Sequence, residues 1–134
     1  MSETKAKEAV LALERGVLDR WSKGDPYGYT DHAVEDVSYC DHLTEAMCIG
    51  LAAFRAHLKA YEGKVNVPRY EIENLRVDVA AELASSSFNW HTYSDDGALT
   101  SRWNATEVFR RVDGGWRYAR VHWSRVREGQ PKGA

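Results

Sequence analysis

AAELASSSFNWHTYSDDGALTSRWNATEVFRRVDGGWRYARVHWSRVR, residues 80–127, decides the fold. Apolar or small residues alternate with polar ones along it, and two turn clusters, Ser94-Asp95-Asp96-Gly97 and Asp113-Gly114-Gly115, cut it into strands of roughly 80–93, 99–111 and 116–127. Upstream, after Pro68, the apolar set changes parity from Tyr70 and Ile72 to Leu75, Val77 and Val79. One extra residue in a β-bulge produces that shift and bends the strand. Ahead of the strands the period is helical: Ala6, Val10, Leu13, Val17 and Trp21 form one apolar stripe, with Glu, Lys and Arg at the other positions. Gly24 stops this helix, and Asp25-Pro26 starts a short second one that runs to about His32. Two brief strands follow between Val37 and Ile49, around Asp41-His42-Leu43-Thr44, and Leu51, Phe54, Leu58 and Tyr61 mark a third helix. The order α-α-β-β-α-β-β-β-β predicts an α+β fold, a curved antiparallel sheet wrapped around N-terminal helices as a cone-shaped barrel with a cavity at its open end. Residues 1–134 are expected to form a single domain with a flexible tail from about 128.

The bulk composition narrows the function classes. With 134 residues, 43% hydrophobic and 11% aromatic, the chain is long enough for one core and too short for two. A formal net charge of −2 with no clustered Lys or Arg argues against nucleic acid as a partner. The N-terminus is charged from the start and no apolar run approaches the roughly 20 residues of a bilayer span, so a cytoplasmic protein without membrane contact is expected. Cys40 and Cys48 lack CxxC or Cys/His spacing; they could face each other across a hairpin, but reduced thiols are expected.

The candidate chemistry is acid–base. Asp41 ends an apolar-aromatic strand with Tyr39 two residues back on the same face, and a partly buried carboxylate there can take a proton from a carbon acid. The competing reading is that Asp41 caps the turn after the strand. Glu107 depends on hairpin register. A three-residue loop at Asp113-Gly114-Gly115 pairs Val112 with Trp116 and puts Glu107 on the face of Ala105, Phe109, Ala119, Val121 and Trp123; a two-residue turn at Asp113-Gly114 sets it opposite Arg120. The longer loop is favoured because it gathers the apolar residues of both strands on one face. That register leaves Tyr118, with Trp116, on the outer face among Arg102, Arg110, Arg111, Arg117, Arg125 and Arg127. Trp21, Trp103 and Trp123 are pocket candidates and His57, at the edge of the third helix's stripe, a donor to a substrate oxygen; each also has an ordinary packing role. His91 and His122 have no partner at metal spacing, and there is no Gly-rich phosphate loop, nucleophile elbow or CxxC, so neither metal nor cofactor is expected. What remains is cofactor-free proton chemistry on an apolar small molecule.

Lys23-Gly24-Asp25, Val37-Ser38-Tyr39-Cys40-Asp41, Gly50-Leu51, and Thr106 to Arg111 through Asp113-Gly114 to His122-Trp123-Ser124 together resemble the SnoaL-like branch of the nuclear transport factor 2-like superfamily. The resemblance covers residues 6–127 and implies a fold shared by ketosteroid isomerase, scytalone dehydratase, polyketide cyclases, limonene epoxide hydrolase and the association domain of a calcium/calmodulin-dependent kinase. It implies a catalytic base at Asp41, although His42 stands where the isomerase has proline, and its second, protonated acid at Glu107. The isomerase's helix-1 tyrosine corresponds to Val17, so that oxyanion donor is absent. The three pocket arginines of the association domain correspond to Asn89, Glu107 and Trp123, which makes Asn89 a pocket residue and the pocket no anion site of that kind. The resemblance also implies a homodimer through the outer face that carries Tyr118 and Trp116. Isomerisation, cyclisation or dehydration with Asp41 as base, and non-catalytic ligand binding or association, are the two functions the resemblance allows.

Overall fold

The computed structural model describes residues 2–127. The expected tail from about 128 lies outside the described residues. The elements are α1 (Glu3–Ser22), α2 (Gly28–Asp31), β1 (Ala33–Cys40), β2 (Cys48–Ile49), α3 (Leu51–Leu58) continued by a 3-10 turn (Lys59–Tyr61), β3 (Arg69–Ala80), β4 (Leu83–Tyr93), β5 (Leu99–Val112) and β6 (Gly115–Arg125). Their order is the one the patterning predicts. Ser2 caps α1 by accepting from the Lys5 N–H at 3.2 Å. At the other end Gly24, at φ +91°, occupies the left-handed position where a helix is terminated.

Two close approaches set the helices. A Cβ on Gly28 would meet Val17 Cα at 3.2 Å, so glycine lets α2 lie close on α1 where a larger residue would have to press the two apart. That contact brings the next residue, Tyr29, to the centre of the molecule at 2% exposure. α1 also rests on β3 and β6, and α3 on β1 and β2.

The six strands form one sheet in the order β2-β1-β6-β5-β4-β3. It is mixed rather than wholly antiparallel, because β1 runs parallel to β6 with Tyr39 opposite Val121 and Cys40 opposite His122. The helical segment ahead of β1 delivers the chain to the base of the sheet, from which β1 and β6 both run to the same rim. Curvature comes from broken register. β3 bulges between Glu73 and Arg76, with Asn74 at φ +57°, where the parity of the apolar residues shifts.

A second bulge corrects the reading of the last hairpin. Val112 pairs with Gly115, so the turn is the two-residue Asp113-Gly114 and not the three-residue loop. Val108 then faces Arg120 but Phe109 faces Tyr118, with Ala119 as the extra residue. The bulge restores Glu107 to the buried face, opposite Val121, and also turns Trp116 and Tyr118 inward, at 7% and 0% exposure. The outward aromatic surface expected there does not exist. The outer face instead carries a polar ladder: Asn74 donates to Asn89, Asn89 to Asn104 and Asn104 to Ser124, at 2.8, 2.7 and 3.2 Å.

The core fills the concave face, with Val10, Val17, Leu18, Val37, Phe54, Leu58, Phe109 and Tyr118 at 0–2% exposure. Glu14, read as part of the polar face of α1, is buried there too at 1%. Cys48 pairs with Tyr39, one step out of register with Cys40, so the two cysteines do not face each other, and both are free thiols. No helix among the described residues is long and apolar enough to cross a membrane.

Candidate functional site

The topology gathers one rim of the sheet. The C-terminal ends of β1, β6 and β4 and the N-terminal end of β5 lie together, and their inward residues surround a cavity of about 220 Å³ with α1, α2 and the segment after α3. Trp21, Tyr29, Tyr39, Tyr61, Trp90, Trp103 and Trp123 supply aromatic walls, and Asp41, His42, Thr92 and Ser101 the polar atoms. Trp103 and Trp123 border the cavity without plugging it.

Asp41 is the acceptor at the centre of a cluster. Its side chain is 4% exposed. Oδ2 accepts from the Tyr39 hydroxyl at 2.7 Å, the Tyr61 hydroxyl at 2.8 Å and His57 Nε2 at 2.9 Å, and Oδ1 from the Leu43 N–H at 2.8 Å. His57 and Tyr61 are four residues apart, which places both on one face of α3 and its 3-10 extension. Burial pushes the Asp41 carboxyl upward, but the bonds from His57, Tyr39, Leu43 and Tyr61 outweigh it and hold the group below the usual aspartate value. Burial and then the neighbouring carboxylate push Tyr39 and Tyr61 upward, so both phenols stay protonated as donors. The Asp41 side chain also caps the turn, since Oδ1 accepts from the N–H of Leu43 two residues on, while Thr44 Oγ1 accepts from the Asp41 N–H at 3.2 Å and donates to its carbonyl at 3.0 Å. One side chain closes the turn and charges the cavity wall.

Glu107 lies deeper. It is two inward positions below Trp103 on β5, about 13 Å along the strand, and does not line the cavity. It reaches the cavity through Tyr29, whose hydroxyl is 3.4 Å from Glu107 Oε2 and accepts from Trp123 Nε1 at 3.1 Å. On its other side it is in hydrogen-bonding contact with Glu14, which accepts from the Tyr118 hydroxyl. Burial, then the Glu14 charge, push Glu107 well above the usual glutamate range, and burial raises Glu14 as well. Two fully buried carboxyls in contact cannot both ionise, so the pair keeps a proton. Glu14 Oε1 is buried without a hydrogen-bond partner.

Of the expected site residues, Asp41, Tyr39, Trp21, Trp103 and Trp123 line the cavity, His57 stands behind Asp41, and Glu107 behind Tyr29. Asn89 does not belong to the site. Strict alternation along β4 buries Phe88 and Trp90, so Asn89 points to the outer face and joins the asparagine ladder. Sequence reasoning missed Tyr29, Tyr61, Glu14, Thr92 and Ser101. Glu14 had a signal, since Val10, Glu14 and Val17 keep the spacing of the buried stripe. Tyr61 was recognised as part of a stripe but not as a ligand to Asp41. Among the described residues no three His, Cys, Asp or Glu side chains gather as a metal site.

A curved sheet folded over helices thus encloses an aromatic cavity with Asp41 in its wall. Residues 10–128 match the SnoaL-like domain model, and the chain belongs to that family, within the nuclear transport factor 2-like fold. Among solved structures, a provisionally assigned ketosteroid isomerase from Parabacteroides distasonis is 27% identical, with a TM-score of 0.77 over 90% of this chain and 88% of its own. A nuclear transport factor 2-like protein of unknown function from Pseudomonas putida is 22% identical, with a TM-score of 0.80 over 98% and 99%. The association domain of C. elegans CaMKII is 18% identical, with a TM-score of 0.73 over 91% and 97%. No curated protein matches the chain.

Proposed function

We propose that the chain is a cofactor-independent isomerase or lyase acting on a small apolar carbonyl compound, with Asp41 as proton acceptor and Tyr29, backed by Glu107, as donor to the carbonyl oxygen. The observation that carries this reading is a pair of opposed acids at one aromatic cavity: an ionised Asp41 in its wall and a protonated Glu107 behind Tyr29. Groups whose surroundings drive their pKa values apart take the base and acid roles. Asp41 takes a proton from the carbon next to the carbonyl; the C–H electron pair forms the enolate, whose oxygen accepts from Tyr29. Return of the proton to a different carbon completes an isomerisation, and loss of a β-hydroxyl as water completes a dehydration. Asp41, held below its usual value, is a weak base, so most of the barrier must be lowered at the oxygen. The 3.4 Å separation from Glu107 is at the limit of a hydrogen bond and leaves the Tyr29 hydrogen free to turn to a ligand.

Size narrows the substrate. A dry cavity of about 150 Å³ holds benzene. At about 220 Å³ this one suits a single substituted ring, not the four rings of a steroid. The ketosteroid isomerase name of the P. distasonis protein thus supports the reaction type more than the substrate.

A second reading, ligand binding without turnover, is favoured by the four donors already on Asp41, which leave little of it for a substrate. Deuterium uptake from heavy water at the α-carbon of cyclohexanone, followed by NMR, separates the two. Catalysis requires uptake that falls at least about 100-fold in Asp41→Asn and substantially in Tyr29→Phe. Saturable binding with uptake no faster than buffer leaves the binding reading in its place.

A further inference from the structure

The cavity has a polar group that this acid–base scheme does not use. Thr92 on β4 and Ser101 on β5 both line it, close to the hairpin that joins the two strands, and Thr92 is 3% exposed. Thr92 Oγ1 lies 2.6 Å from Ser101 Oγ and 2.6 Å from Thr100 Oγ1. Ser101 Oγ also accepts from Trp103 Nε1 at 2.8 Å, which fixes the Trp103 ring as a cavity wall, edge-on to His42 at 4.8 Å.

Each hydroxyl has one hydrogen and two lone pairs. Three hydroxyls joined by two contacts use two of their three hydrogens, and the Trp103 N–H brings its own. One hydrogen is therefore left over. If Thr100 gives to Thr92 and Thr92 to Ser101, both Ser101 lone pairs are filled and the Ser101 hydrogen is unspent. If Thr100 and Ser101 both give to Thr92, the Thr92 hydrogen is unspent, its other acceptor being the Ser101 carbonyl at the long distance of 3.5 Å. Only the chain from Ser101 through Thr92 to Thr100 carries the spare hydrogen away from the cavity-lining residues. A hydrogen left over on Ser101 or Thr92, both of which line the cavity, can be given to a ligand oxygen placed there.

We propose that Ser101 and Thr92 form a distal subsite that recognises a second oxygen, so that the ligand is a single ring bearing acceptor oxygens at two separated positions, a diketone or ketone-ether rather than a simple ketone. This rests on the cavity reading above and adds the substrate class. The ligand spans the cavity: its reacting carbonyl lies between Asp41 and Tyr29, and its second oxygen meets the hydroxyls of β4 and β5. Trp103 couples the two, since the Ser101 bond that orients it also shapes the wall.

The test uses the intact chain and two probes of the same shape, cyclohexane-1,4-dione and 4-methylenecyclohexanone, which differ only in the distal acceptor. Isothermal titration on wild type should show the dione binding roughly five- to tenfold more tightly, the range expected of one hydrogen bond. Ser101→Ala together with Thr92→Val should erase that preference, bringing the ratio of the two probes' affinities to about one, and Thr92→Ser should retain it. Equal affinity of the two probes for wild type, or a preference that survives in the double variant, overturns the subsite while the cavity stands. Failure of both probes to bind overturns the pocket reading itself and the subsite with it. If the double variant melts much lower, Ser101→Ala alone, at a half-buried position, provides the same comparison.

Discussion

Replacing the buried acid pair with amides, Glu14→Gln with Glu107→Gln, should change how stability depends on pH and do so by a calculable amount. In the unfolded chain both glutamates release their protons above about pH 4.5, whereas the folded pair, wholly buried and in contact, keeps at least one. Between the ordinary glutamate value and the raised folded value the native state therefore binds more protons than the unfolded state, and stability must fall as pH rises. While the pair keeps its proton, one proton corresponds to about 1.4 kcal/mol per pH unit, a ceiling of about 2.7 kcal/mol between pH 5.5 and 7.5. With an unfolding entropy of about 2.1 cal/mol/K per residue over 134 residues, each kcal/mol moves the melting temperature by about 3.6 °C, so the wild type loses up to about 10 °C over those two units from this pair. The paired amides have the same shape, can donate to one another and to Tyr29 and Tyr118, and carry no proton to lose. Melting curves by circular dichroism at half-unit steps should show a gap that opens in favour of the variant from pH 5.5 to 7.5, by up to about 10 °C, with other titrating groups cancelling in the difference. Parallel curves would mean that the folded pair ionises like exposed glutamates, and the proton behind Tyr29 would not exist.

Asp41 has the opposite sign: its folded value is depressed, so its contribution is present above the usual aspartate value of 3.8 and lost as pH falls below it. Asp41→Asn should cost about 1–3 kcal/mol in urea unfolding at pH 7 and much less at pH 3; an equal cost at both would show that charge plays no part. Ala81 closes the turn between β3 and β4 at φ +53°, a conformation that a Cβ disfavours, so Ala81→Gly should raise stability by about 0.5–1 kcal/mol, and a lower melting temperature would contradict it. Asn89→Ala should weaken the outer-face ladder by up to about 1 kcal/mol and leave cyclohexane-1,4-dione affinity within twofold; a larger change in Kd would return Asn89 to the cavity.

The hairpin between β5 and β6 shows where patterning stops being sufficient. Two registers were compatible with its alternation, and the favoured one put Glu107 on the buried face for the wrong reason. A tight turn plus a bulge at Ala119 reaches the same face as a longer loop without a bulge, yet sends Trp116 and Tyr118 to opposite sides in the two cases. Turn length and bulge position compensate locally, and the choice between them is made by what the two large aromatics meet: Tyr118 finds Glu14 on α1, 104 residues away. The same limit explains Tyr29 and Tyr61, each in a short helical segment with no chemical motif around it.

From its residues alone the chain specified its elements in order, the bulge in β3, the termination of α1 at Gly24 and the strand that leads into Asp41, because period, parity and turn chemistry are local and act through neighbouring residues. Only the tertiary structure decided that Asp41 would be gripped by His57 and Tyr61, 16 and 20 residues later, that Glu14 and Glu107 would both be buried, with Glu107 beneath Tyr29, and that Asn89 would face outward. Those outcomes depend on long-range closure and on burial, which set both who meets whom and how each acid holds its proton.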